Sequence, residues 1–336
     1  MPQSFHTQEP LVVFGATGML GSELVYYSVI SRFSPHLVLC GSNEDRLKGL
    51  KDELEESNIE GVKITTTTSV PEACAYGGYL FFSRSIRAKA QSREEMLADN
   101  APMAVETARA IAPVRNRVKR LVCVSNPSDL IGLVLLVHSG LPADRVMSLS
   151  ALDTLRLRRA LFRRFGDEVC LKDALTLGSH DNSMATFLHT LRVNNQSLDE
   201  IGYKDEDYKA LHKEVRNSGL RIYKLRGHTA YQSPALVSLQ MLFANDDSPF
   251  TLPTARYHHS ERYPYVFGAL PTIIDDSGCK HLPLPFTTDD RDMEGLDRAF
   301  QSIAKQRDWL IDQQILPPTE SWQDELQHKT ELVEIR

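Results

Sequence analysis

The run Gly15-Ala-Thr-Gly18-Met-Leu-Gly21 directly follows the apolar tetrapeptide Leu11–Phe14 and opens a helical pattern near Met19. Few arrangements constrain a fold as much: a buried strand, a tight turn that glycine makes most easily, then a helix whose N-terminus faces the turn. Such a helix end offers free N–H groups and a partial positive charge to an anion, and the missing Cβ atoms let backbone approach a pyrophosphate. Gly15, Gly18 and Gly21 are therefore expected to cradle a dinucleotide. The plainer alternative is a strand-to-helix turn that binds nothing.

The rest of the first half repeats this alternation. Strands are expected at Leu11–Phe14, His36–Cys40, Val62–Thr66, Tyr79–Phe82 and Leu121–Val124, with helices at Met19–Ser31, Glu44–Glu56 and Arg93–Ala112. Short apolar runs between amphipathic helices make a parallel sheet covered on both faces. The expected fold is α/β, a Rossmann-type doubly wound parallel sheet over residues 1–150, followed by an α+β second domain over 151–336. In that second part, helices are expected at Leu198–Ser218 and Tyr231–Phe243. A C-terminal helix should carry Leu296, Ala299, Phe300, Ile303 and Leu310 on one face.

A formal charge of −6 argues against nucleic acid as a general partner, since phosphate backbones need concentrated positive surface. Cys40, Cys74, Cys123, Cys170 and Cys279 are odd in number and form no CxxC pair, so free thiols are expected rather than disulfides or a metal knuckle. No metal site is expected, the isolated His228 and the His258-His259 pair included. No apolar stretch reaches the roughly 20 residues of a membrane helix. The polar start Met1–Pro10 lacks the basic and apolar segments of a secretory signal, so a cytoplasmic protein is expected.

The second strand ends Leu39-Cys40-Gly41-Ser42-Asn43, where an NAD site ordinarily has an acid for the adenosine ribose. Without that carboxylate a 2′-phosphate is not repelled, and Ser42 with Arg46 offers it partners. NAD and NADP both stand as expectations.

Farther on, Leu152-Asp153-Thr-Leu-Arg156 puts Asp153 and Arg156 on one helix face, and Gly178-Ser-His180 sets a histidine in a polar turn. Each alone reads as an ordinary surface feature. With the glycine loop and Cys123-Val-Ser-Asn126-Pro127 they occur in the order found in the lactate/malate dehydrogenase family, which this sequence resembles over nearly its whole length, with the malate branch the nearer. The resemblance implies that His180 accepts the proton of a substrate hydroxyl, that Asp153 orients it, and that Arg156 binds the substrate carboxylate. A carboxylate on one imidazole nitrogen fixes the tautomer and favours the imidazolium, and arginine pairs with a carboxylate bidentately, as lysine does not. Asn126 is implied beside both substrate and nicotinamide.

Between the fourth strand and the next helix, Arg84, Arg87, Lys89 and Arg93 crowd one segment. A solvated basic loop is one reading; a lid over the crevice is the other. Malate dehydrogenases carry two arginines six positions apart here, as are Arg87 and Arg93. The resemblance implies that Arg87 binds the second carboxylate of a dicarboxylate such as malate or oxaloacetate, that Arg93 polarises the reacting carbonyl, that Asn100 faces the cofactor, and that the chain forms a homodimer or, alternatively, a tetramer. Arg84 stands where the family has glycine, and Asp181-Asn182 replaces its usual Gly-Asp. These departures keep open altered specificity, or a relative that binds a dinucleotide without efficient turnover. A short-chain reductase is disfavoured because no tyrosine has lysine four residues later.

Overall fold

A computed structural model describes residues 4–57, 61–86, 92–285 and 288–329. The first half alternates β1 (Leu11–Phe14), α1 (Met19–Ile30), β2 (His36–Cys40), α2 (Glu44–Glu56), β3 (Lys63–Thr67), α3 (Val70–Cys74) and β4 (Gly78–Phe82). It continues with α4 (Arg93–Ile111), β5 (Val118–Cys123), α5 (Ser128–Ser139) and β6 (Val146–Ser148). The second half opens with α6 (Ala151–Phe165) and four two-residue strands, β7 (Leu171–Lys172), β8 (Thr176–Leu177), β9 (Ala185–Thr186) and β10 (Arg192–Val193). Then come α7 (Asp205–Arg216), α8 (Ser218–Arg226), α9 (Gln232–Phe243), β11 (Thr254–His258), β12 (Val266–Leu270), β13 (Thr272–Asp275), β14 (Gly278–His281) and α10 (Asp290–Asp312).

Six strands run parallel in the order β3-β2-β1-β4-β5-β6, the doubly wound topology expected. The sheet does not stop at β6. β11 pairs antiparallel with β6 and β12 with β11, so the second half adds two strands to make eight. Successive side chains alternate between faces: Val12 and Phe14 pack toward α3, α4 and α5, whereas Leu11 and Val13 pack toward α1, α2 and α9. A third core, around Leu157, Leu161, Leu198 and Leu211, holds α6 against α7.

Two expectations change. The helix expected over Leu198–Ser218 is α7 and begins at Asp205. Ser197 and Glu200 instead cap one another's backbone N–H groups, and Gly202 takes φ +92°, which turns the chain before the helix. The fifth strand starts at Val118, because Arg120 is buried and donates to the carbonyls of Met241, Leu242, Ala244 and Asp275. No helix of the described residues is long and apolar enough to cross a membrane.

Candidate active site

The strand order reverses between β1 and β4, and the loops leaving their C-terminal ends meet there. Gly15 has φ +81°, and a Cβ on it would lie 2.9 Å from the Ser83 backbone at the end of β4. The turn therefore needs glycine twice over, for conformation and for space. A Cβ at Gly21 would come within 2.3 Å of the Gly15 carbonyl, so the helix sits directly on the turn. The N-terminus of α1 has no side-chain cap and no acid in its first turn. Uncapped N–H groups above a glycine turn at the switch point fit a pyrophosphate.

Arg84 does not obstruct this crevice. Its guanidinium turns onto α4, 2.8 Å from Glu106 and 3.0 Å from the Thr107 hydroxyl. At the end of β2, Gly41 leads to exposed Ser42 and Arg46, and Asn43 caps α2 through the Arg46 N–H. Asn100 is buried and fully engaged: its amide donates to the Asn126 carbonyl at 2.7 Å and its oxygen accepts the Ile86 N–H at 3.0 Å. It thus pins the start of the basic loop to the turn after β5, where the Asn126 side chain is exposed. Arg87 lies outside the described residues.

The second cluster is built by α6 and the turn after β8. Asp153 is buried in the first turn of α6, and its two oxygens accept from His180 Nδ1 at 2.6 Å and Arg156 Nη1 at 2.8 Å. Gly178 aims His180: it has φ +83°, exchanges both backbone hydrogen bonds with Ala269 at 2.7 Å, and sits so close to α10 that a Cβ would meet Ala299 at 2.4 Å. The Asp153 carboxylate raises the His180 pKa above its ordinary value, outweighing burial, which acts to lower it. Burial opposes ionisation of Asp153, yet His180 and Arg156 together hold its pKa below the usual carboxylate value. The result is an ionised acid, a histidine poised to hold a proton, and an arginine with donors to spare.

The arrangement around Arg93 was not foreseen. Its guanidinium meets the buried Asp129 at 2.5 Å and Asp181 at 3.3 Å, donates to the His180 carbonyl at 3.4 Å, and places Nε on Gln306 at 2.7 Å. Asp129 also accepts the His180 N–H at 3.4 Å. Burial works to raise the Asp181 pKa, but Arg93, Ser183 and Ser179 bring it below the usual value. Asp181 stands beside the histidine as a departure from the family pattern, and Asp129 lies two residues past the Asn126-Pro127 pair. That they grip the same arginine has no local signal.

The structure thus joins Asp153, His180 and Arg156 directly and ties Arg93 to the His180 loop. Among the described residues no group of three His, Cys, Asp or Glu side chains could hold a metal.

Residues 10–148 match the family model described as lactate/malate dehydrogenase, NAD binding domain. A probable malate dehydrogenase of Campylobacter jejuni is 25% identical over 75% of this chain and 84% of its own length. Among solved structures, malate dehydrogenase from Plasmodium falciparum superposes with a TM-score of 0.78 at 18% identity, covering 91% of this chain and 99% of that one. Trichomonas vaginalis lactate dehydrogenase in complex with NADH and oxamate gives the same TM-score at 19% identity, covering 90% and 98%. Both show a shared fold.

Proposed function

This chain belongs to the lactate/malate dehydrogenase family, and from that premise we propose that it interconverts malate and oxaloacetate with a nicotinamide dinucleotide, residues 1–150 holding the dinucleotide and 151–336 the substrate. The observation that carries the reading is the buried Asp153 shared between His180 and Arg156.

Gly15, Gly18 and Gly21 hold the pyrophosphate and Ser42 and Asn126 line the approach, while the buried Asn100 acts on the cofactor side by fixing the Asn126 turn and the start of the basic loop. When bound, the dinucleotide supplies the acceptor or donor of hydride at the substrate carbon. Everything else falls to side chains. Arg156 takes the carboxylate next to the reacting carbon with the N–H groups that Asp153 leaves free, which orients the substrate. His180, its Nδ1 committed to Asp153, presents Nε2 to the substrate oxygen. In oxidation it accepts the hydroxyl proton, and in reduction it returns that proton. Asp153 stabilises the imidazolium without taking the proton itself. Arg93 polarises the carbonyl after leaving Asp129 and Asp181, and Arg87 takes the distal carboxylate.

The dinucleotide is NADPH as well as NADH, because Gly41 removes the repelling acid and Arg46 makes no ion pair among the described residues. Unpaired thiols favour a reducing, cytoplasmic setting. The proposed assembly is a homodimer.

Steady-state oxidation of each reduced nucleotide, with oxaloacetate and with pyruvate, tests this. Oxaloacetate should exceed pyruvate in kcat/KM by at least about a hundredfold, the order expected when a site built for a second charge meets a substrate lacking it. A preference for pyruvate would overturn the dicarboxylate assignment. One observation favours a second reading, a dinucleotide-binding relative of low turnover: Arg93 is gripped by two carboxylates. That reading takes over if neither keto acid is reduced.

A further inference from the structure

Behind the loop that carries His180 lies another cavity, of about 460 Å³, which Asp153, Arg156 and His180 do not line. The stretch from Asn182 to His189 contributes one wall. α7 presents Lys209, His212 and Arg216, and the first turns of α10 present Arg291 and Arg298. His212 and Arg216 are four residues apart and Arg291 and Arg298 seven, so each helix turns one face to the space.

In a chain of net charge −6 this lining is cationic. Asp292 is its one carboxylate, and it is buried and occupied, accepting the backbone N–H groups of Leu188, His189 and Thr190 at 3.1, 3.0 and 2.7 Å. Arg291 is matched by Asp289 at 2.9 Å and Asp199 at 3.6 Å. The other cations are poorly matched. Arg298 meets Glu294 at 3.8 Å with both side chains exposed, and Lys209 and Arg216 pair with no carboxylate among the described residues. Arg216 Nη1 instead lies 3.5 Å from His212 Nε2, which requires a neutral imidazole as acceptor. Burial, with Arg216 and Arg298, holds the His212 pKa below its ordinary value, which keeps the ring neutral. Nearby, the His189 ring stacks on Tyr208 at 4.3 Å, and its buried Nδ1 has no hydrogen-bond partner among the described residues.

Two unmatched cations, Lys209 and Arg216, with Arg298 held only by an exposed glutamate at 3.8 Å, surround a cavity of small-ligand size and select an anion, and the aromatic and apolar wall accepts an organic body beside it. We propose that this cavity binds a small phosphorylated metabolite, its phosphate oxygens taken by Lys209, Arg216 and Arg298. The wall also reaches the catalytic loop. Ser183 donates its N–H and its hydroxyl to Asp181 Oδ1, both at 2.6 Å, and Asp181 Oδ2 holds Arg93. A ligand against Ser183 therefore bears on the grip that restrains Arg93. The binding stands apart from the dehydrogenase reading; the effect on turnover rests on it.

Titration calorimetry with pyrophosphate as the probe tests the site. The double variant Lys209→Gln/Arg298→Gln, at two exposed positions, should bind at least about tenfold more weakly than the wild type. Arg46→Gln, which reports phosphate taken up in the dinucleotide crevice, should leave the affinity of this cavity unchanged. Absence of binding at millimolar pyrophosphate, or a double variant that binds as the wild type does, would overturn the proposal. Citrate provides the carboxylate arm: tighter binding of citrate than of pyrophosphate would overturn the phosphate assignment. Saturating pyrophosphate should shift the keto-acid KM of the wild type and not that of the double variant; an unmoved KM overturns the coupling while calorimetry still decides the site.

Discussion

Asp153→Asn probes the element on which both His180 and Arg156 depend. Asparagine keeps the volume of the buried side chain but removes its charge and leaves one acceptor oxygen for two donors, His180 Nδ1 at 2.6 Å and Arg156 Nη1 at 2.8 Å. One donor then faces an amide N–H. Removing one partner of a buried ion pair costs about 3–5 kcal/mol, and the lower end applies here because the His180 and Arg156 side chains are each 20% exposed. At about 1.4 kcal/mol per decade, keto-acid reduction should slow by roughly a hundredfold. The pH profile supplies a second readout. With Asp153 present, the His180 pKa is raised, so the imidazolium that donates the proton persists above the ordinary histidine range, and reduction declines as pH rises through the raised value. In Asp153→Asn the decline should move to lower pH. The assay is kcat for reduction across neutral pH, with circular dichroism to verify the fold. A loss smaller than about threefold with an unmoved decline would refute the role given to the carboxylate.

Gly41→Asp should restore discrimination against NADPH. A Cβ at Gly41 meets Leu47 Cδ2 at 3.3 Å and Thr17 Oγ1 at 3.4 Å, contacts that movable side chains relieve. The NADPH/NADH ratio of kcat/KM should fall at least about tenfold, since a carboxylate set against a phosphate is repulsive; an unchanged ratio would show that the ribose lies elsewhere. Acid should destabilise the second half through its buried histidines. Burial, followed by Arg256, lowers the His258 pKa to about 4 and lowers that of His281 further, and both Nδ1 atoms lack partners among the described residues. The unfolded chain takes up protons near pH 6.5 that the native state refuses, so stability is full above that pH and declines as pH falls toward 4. By about pH 5, His258 alone should cost roughly 2 kcal/mol. Tm measured from neutral pH downward should fall less steeply in His258→Phe; equal slopes would contradict the assignment.

Much of this molecule was legible in its sequence because its signals are local. β1, β2 and α2 lie where the apolar runs and helical spacing put them, and Asp153 with Arg156 follows from three-residue helical spacing. What remained hidden depends on distance along the chain. β11 joins the sheet beside β6 although Thr254–His258 shows no apolar alternation, because four of its five residues are buried. Arg120 reads as a surface cation and proves to be buried against the carbonyls that end α9. The grip on Arg93 draws on Asp129, Asp181 and Gln306, which no periodicity connects.

The central claim is that His180 transfers the proton at the substrate oxygen. His180→Asn, assayed for turnover and separately for binding of the reduced nucleotide by fluorescence, tests it most directly. Loss of a positioned acid–base group should lower kcat by about 10²–10⁴-fold while nucleotide affinity stays within about threefold. Turnover close to the wild type would remove His180 from the reaction.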